Sequence, residues 1–175
     1  IGPHAFDGCK SLRYVEFPAN SELKWIENYA FNSSSIETIK IPTKVQRIGE
    51  YAFSSCVKLK TVHFLGPSEL KLIDSYAFCG CSFEQITIPP SVNQIGESCF
   101  SSCNSLKIAN FEGESQLRSI DKSAFSSSSI EKVSIPPHVS RIGERCFALC
   151  KYLQTVVFPS ESELRAIENY TFYSS

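Results

Sequence analysis

Cysteine and histidine are the side chains here with the most chemistry available to them. The chain has 8 Cys and 3 His in 175 residues. A thiol can bridge to a second thiol, hold a metal or act as a nucleophile, and spacing separates these uses. Cys9, Cys56, Cys103 and Cys150 recur every 47 residues. Cys79, Cys81, Cys99 and Cys103 form C-x-C and C-x-x-x-C, weaker metal-ligand signals than paired C-x-x-C. His4, His63 and His138 stand apart, and neither H-E-x-x-H nor a glycine-rich phosphate loop occurs. Acidic residues fall in regular rows instead of a facing pair. The reading is of a non-enzyme with no catalytic residue, no cofactor and no metal.

Composition narrows the class further. The chain is 42% hydrophobic and 20% charged, too apolar for a disordered tail. Lys+Arg number 17 and Asp+Glu 18, a net charge of -1, so neutralising a nucleic-acid backbone is not expected. No apolar run approaches the roughly 20 residues that span a bilayer, so no membrane insertion is expected either.

The cysteine spacing leads back to the elements that must carry it. A unit begins at Ile1, Ile26, Ile48, Ile73, Ile95, Ile120, Ile142 and Ile167, at intervals alternating 25 and 22. Position 6 of every unit is Phe: Phe6, Phe31, Phe53, Phe78, Phe100, Phe125, Phe147 and Phe172. Position 5 is Ala, Cys99, Cys146 or Thr171. A closing Leu, Ile or Phe follows, then an apolar-x-apolar pair such as Val62 and Phe64 or Ile86 and Ile88. Period two marks a short strand with one buried face, and Pro18, Pro42, Pro89, Pro136 and Pro159 end it. Gly2, Gly49, Gly96 and Gly143 hold position 2 of the long units, where a positive φ or a close backbone approach is expected. One unit cannot bury its own apolar side, but stacked units share a core and align their strands in parallel.

The consensus I-G-x-x-A-F-x-x-C-x-x-L-x-x-V-x-F-P, with I-P-x-x-V-x-x-I in the short units, resembles the BspA-like (Treponema pallidum-type) leucine-rich repeat. Ile41-Pro42-Thr43-Lys44-Val45-Gln46-Arg47-Ile48 is a clear example. The resemblance runs the whole length. It implies an α/β solenoid, a curved leucine-rich-repeat array with a parallel β-sheet on the concave face. About seven and a half repeats of 25 and 22 residues would form one domain over residues 1–175, without caps and so expected to be a piece of a longer array. Members are typically surface proteins, some implicated in adhesion to host cells and matrix, and the family carries no catalytic residues.

The register places the remaining chemistry. Cysteines 47 residues apart lie two coils apart, roughly 10 Å, too far for a disulfide. Cys81 completes a row with Cys56 and Cys103, and Cys99 and Cys146 replace Ala as small hydrophobes, so packed free thiols are expected over a metal site. Arg13, Glu37, Lys60, Glu84, Lys107 and Glu131 alternate in sign beside the strands. Lys24, Arg47, Lys71, Arg118, Arg141 and Arg165 precede the unit starts, and acids follow them. Both patterns read first as solvated ion-pair ladders. Asn32-Ser33-Ser34 and Asn169-Tyr170-Thr171 match the N-glycosylation triplet.

The open strand face is the candidate ligand-binding surface. Alternation points outward Tyr14, Glu16, Thr38, Lys40, Thr61, His63, Gln85, Thr87, Ile108, Asn110, Lys132, Ser134, Thr155 and Val157. Hydroxyl and amide groups suit a protein or glycan ligand on a host surface or matrix, and Tyr14, Ile108 and Val157 supply apolar anchors. The strand preference of Thr and Val explains part of the same list without a ligand. The expected function is a binding or adhesion module at the cell surface or outside the cell. The alternative is a cytoplasmic scaffold for protein-protein interaction, favoured by eight thiols in a reducing compartment, and less so a regulatory array fused to an enzyme. Nothing in the sequence specifies an oligomeric state.

Overall fold

A computed structural model describes all of residues 1–175, folded into one parallel-strand solenoid. Two kinds of strand alternate. Seven two-residue strands each end on or carry the repeat isoleucine: β1 Trp25–Ile26, β3 Arg47–Ile48, β5 Leu72–Ile73, β7 Gln94–Ile95, β9 Ser119–Ile120, β11 Arg141–Ile142 and β13 Ala166–Ile167. Between them lie the apolar-x-apolar strands: β2 Thr38–Ile41, β4 Thr61–Phe64, β6 Gln85–Ile88, β8 Ile108–Phe111, β10 Lys132–Ser134 and β12 Thr155–Val157. The isoleucine strands form one unbroken sheet, β1-β3-β5-β7-β9-β11-β13. The others divide into β2-β4 and β6-β8-β10-β12. Every pairing is parallel and matches equivalent residues, as with Ile48 beside Ile73 and Val133 beside Val156.

There is no helix, which corrects the α/β expectation. The segment that would be the helical side has a positive φ at positions 4 and 8 of each unit, for example Tyr51 (φ 55) and Ser55 (φ 57). A right-handed helix cannot pass through such residues every fourth position. The segment makes a run of tight turns, and its N–H groups at positions 4, 6 and 8 reach the next coil. Phe53 N–H donates to the Ala77 carbonyl at 2.8 Å and Ser55 N–H to the Cys79 carbonyl at 2.7 Å. Backbone groups are thereby satisfied between coils.

The expected repeat count is also reduced. Six coils contain the apolar-x-apolar strand, whereas Val15 and Phe17 of the first unit lie outside any strand.

The core explains the invariant positions. It is one cluster of 39 buried residues running the length of the array. The eight position-6 phenylalanines stack ring on ring, with successive centroids 4.9 to 5.6 Å apart. Each offset pair adds about 0.5–1.5 kcal/mol beyond burial. Position 2 is a matter of space, not of positive φ. A Cβ on Gly96 would sit 2.6 Å from the Ser75 nitrogen, and on Gly143 2.5 Å from the Lys122 nitrogen.

Candidate binding surface

The predicted face lies on the outside of the strands. Glu16, Lys40, Thr61, His63, Gln85, Asn110, Lys132, Ser134 and Thr155 are exposed, as are Tyr14, Ile108 and Val157, while Thr38 and Thr87 are half-buried. Register sets the neighbours: Thr38 beside Thr61, Lys40 beside His63, Gln85 beside Ile108, Thr87 beside Asn110, Lys132 beside Thr155 and Ser134 beside Val157. Thr61 Oγ1 donates to Thr38 Oγ1 at 2.6 Å, and the Tyr14 hydroxyl donates to Glu37 Oε2 at 3.3 Å. Tyr14 and Glu16 belong to no strand.

A break in the sheet gathers part of this face into a groove, a feature the repeat pattern hid. At five junctions the residue before the strand donates its N–H to the carbonyl of its counterpart one coil back, as Lys107 does to Glu84 at 2.8 Å. Glu84 makes no such bond to Lys60, and β4 and β6 are unpaired. The closing residue here is Phe83, where the other coils have Leu or Ile. It is fully buried, edge-on to Phe78 at 5.9 Å and Phe100 at 6.4 Å. A ring needs more room than Leu or Ile, which accounts for the splayed strands. The groove encloses about 820 Å³, and Thr61, His63, Gln85, Thr87 and Ile108 line it. Lys60, Glu84 and Lys107 stand along one side, with Lys107 Nζ 3.9 Å from Glu84. The other nine predicted residues lie outside the groove.

The thiols face inward. All eight cysteines are free; Cys9 and Cys79 are half-buried and the rest buried. Cys56, Cys81, Cys103 and Cys150 each donate Sγ–H at 3.1 Å to a phenylalanine carbonyl one coil back, from Phe31, Phe53, Phe78 and Phe125. Burial pushes the Cys56 thiol up to about 11 and Cys103 to about 12, and raises Cys81, Cys99 and Cys146 well above the ordinary thiol value. Charged thiolate is costly in a dry core. No three His, Cys, Asp or Glu side chains converge as a metal site would require.

Two of the three histidines, His4 and His138, pair with acids at the surface. His4 Nδ1 is 2.9 Å from Asp7, and His138 Nδ1 is 2.8 Å from Glu163. His138 and the two basic groups near it hold the Glu163 carboxyl below its ordinary value. His4 also begins a second aromatic stack through Tyr29, Tyr51 and Tyr76, centroids 4.6 to 4.8 Å apart. Recurrence of Tyr at position 4 was the signal for that stack.

The charge rows form in part. Arg13 lies 3.7 Å from Glu37, Arg47 2.6 Å from Asp74, and Arg141 bridges Asp121 at 2.6 Å and Glu168 at 3.0 Å. No helix is long and apolar enough to cross a membrane.

The model of the BspA type Leucine rich repeat region matches in six copies, over residues 1–107 and 71–175. Among solved structures, the pneumococcal vaccine antigen PcpA is similar at 26% identity and a TM-score of 0.61, covering 83% of this chain and 45% of that one. A leucine rich cell surface protein of Faecalibacterium prausnitzii is 25% identical with a TM-score of 0.58, covering 81% and 44%. The T. pallidum leucine-rich repeat protein shares the fold at 23% identity and a TM-score of 0.59, covering 80% and 66%. The chain thus spans less than half of the first two proteins. Comparison with curated proteins finds no match.

Proposed function

The chain belongs to the BspA type leucine-rich-repeat family, and on that premise we infer that it is a non-catalytic binding module. Residues 1–175 act as one array, displayed at the cell surface or outside the cell, that adheres to a protein or glycan ligand. The ligand lies along the strand face, centred on the groove between Thr61 and His63 on one side and Gln85, Thr87 and Ile108 on the other. The observation that carries this reading is the break between β4 and β6. It gives a uniform face a concave site with hydroxyl, amide, imidazole and apolar groups together. The family's surface-protein relatives support the location.

Replacing Tyr14, His63 and Ile108 by Asp tests the surface. All three are exposed, so melting should hold within about 0.5 kcal/mol per site. Binding to immobilised matrix proteins and glycans should be abolished; undiminished binding would reject the site. Protease shaving of intact source cells tests the location, because array peptides should be released from cells shown to be unlysed.

The eight free thiols favour a second reading, a cytoplasmic scaffold. Array peptides released only on lysis would establish that reading in place of the first.

A further inference from the structure

A second polar site lies on a different side of the coil, just before the isoleucine strands. The residue two places before each repeat isoleucine forms a row that includes Lys71, Asn93 and Arg118. Asn93 N–H donates to the Lys71 carbonyl at 3.0 Å, and Arg118 N–H donates to the Asn93 carbonyl at 2.9 Å. Two strand steps therefore separate Lys71 from Arg118, about 10 Å between backbones, with Asn93 between them. Both side chains are long enough to converge over that residue.

A shallow cleft of about 430 Å³ opens at this point. Its lining contains Lys71, Arg118, Asn93, Gln94 and Ser91, and it contains neither a carboxylate nor an apolar side chain. Ser91 is decisive. Its Oγ is the one buried side-chain nitrogen or oxygen in the molecule without a hydrogen-bond partner. A buried hydroxyl without a partner is costly, and an acceptor seated in the cleft would remove that cost.

The surrounding carboxylates are already engaged. Glu69 accepts from Gln46 at 3.1 Å, and Asp121 accepts from Gln94 at 2.7 Å. Glu163 meets one nitrogen of Arg118 at 3.2 Å, leaving the rest of the guanidinium fork free. Lys71 takes part in none of the ion pairs. The residue two places before Asn93 is Ser91 and that before Arg118 is Gln116, where Lys71 has Glu69 and Arg165 has Glu163, so two of the three coils at the cleft bring no carboxylate at this position.

We propose that the Lys71–Arg118 cleft binds a sulfate- or phosphate-type oxyanion. Lys71 and Arg118 neutralise it, and the Asn93 amide and the Ser91 hydroxyl donate to its oxygens. Two cations with neutral donors select such a group over an uncharged sugar. The chain's net charge of -1 supplies no general attraction for anions, so binding must come from this local arrangement. The site is separate from the strand face and does not depend on it.

The test titrates the protein at low ionic strength with sodium sulfate, sodium phosphate and dextran sulfate, with unmodified dextran as the uncharged probe. Nitrogen-15 spectra follow the side-chain amides of Asn93, Gln94 and Gln116. Saturable shifts at these amides are expected with the anions and not with dextran. Lys71→Gln and Arg118→Gln should each weaken binding by about tenfold or more, the loss of a charged hydrogen bond. Lys24→Gln and Lys151→Gln, outside the cleft, should change it less than about twofold. Ser91→Ala should weaken binding without lowering the melting temperature, because no internal bond is lost; a purely structural Ser91 would do the opposite. Saturation by both the free ions and the polymer identifies a free-ion site, and saturation by dextran sulfate alone identifies a polymer-borne ester as the source. No saturable shift with any anion, or equal weakening by Lys24→Gln, overturns the proposal.

Discussion

At the scale of the residue, the cysteines show how far spacing can be taken. Their 47-residue recurrence argued against bridges between them, since two coils hold them too far apart. It could not show that each thiol would point at a phenylalanine carbonyl, because that depends on a neighbouring coil. The consequence for reactivity is direct. At pH 8 a soluble disulfide reagent should label only the half-buried Cys9 and Cys79 quickly, and the other six only on unfolding. Rapid labelling of more than two thiols would contradict the packed core. Stability should respond to alkali in a set direction. The Cys56 thiol rises from its ordinary 9.0 to about 11 in the folded chain. Below pH 9 it is protonated in both states and its contribution is intact. Above pH 9 the unfolded thiol ionises first, so stability falls as pH rises toward 11. Melting temperatures from pH 8 to 11 check this, and Cys56→Ala should flatten part of the decline.

At the scale of the element, the strands were unequally legible. Val-x-Phe and Ile-x-Ile declare a strand because period two is visible over three residues. A two-residue strand such as Arg47–Ile48 has no period to read, although its sheet is the longer and unbroken one. The helix implied by family resemblance failed for a local reason: Tyr29, Ser33, Tyr51 and Ser55 all have positive φ, and none of these residue types announces it as glycine would. The glycines at position 2 were recognisable as required, but the requirement is room for the preceding coil. Gly96→Ala would force a methyl to within 2.6 Å of backbone. Backbone cannot yield as a side chain does, so a loss of about 1–3 kcal/mol or more is expected in guanidinium unfolding. A neutral result would show that adjacent coils can shift apart.

At the scale of the whole molecule, the phenylalanine stack joins every coil into one core, so damage at the middle should be felt throughout. Phe100 is fully buried, stacked on Phe78 and Phe125 and edge-on to Phe83. Phe100→Ala should cost about 3–5 kcal/mol, and Phe6→Ala less, since Phe6 is half-buried with one stacked neighbour. Denaturant titration of both variants measures the difference; equal losses would mean that the coils are stabilised independently.

The amino-acid sequence by itself determined the repeat, its register, the inward residues and the outward face, because those follow from periodicity, and periodicity is a property of the chain alone. Tertiary structure decided where the uniform face breaks. Phe83 is apolar like its counterparts but bulkier, and its bulk matters once Phe78 and Phe100 close around it. The same holds for Ser91, one serine among many until its coil leaves its hydroxyl without a partner in the cleft that Lys71 and Arg118 also line. Both candidate sites arise where a repeat departs from its neighbours, and the physical effect of a departure depends on what the next coil places against it.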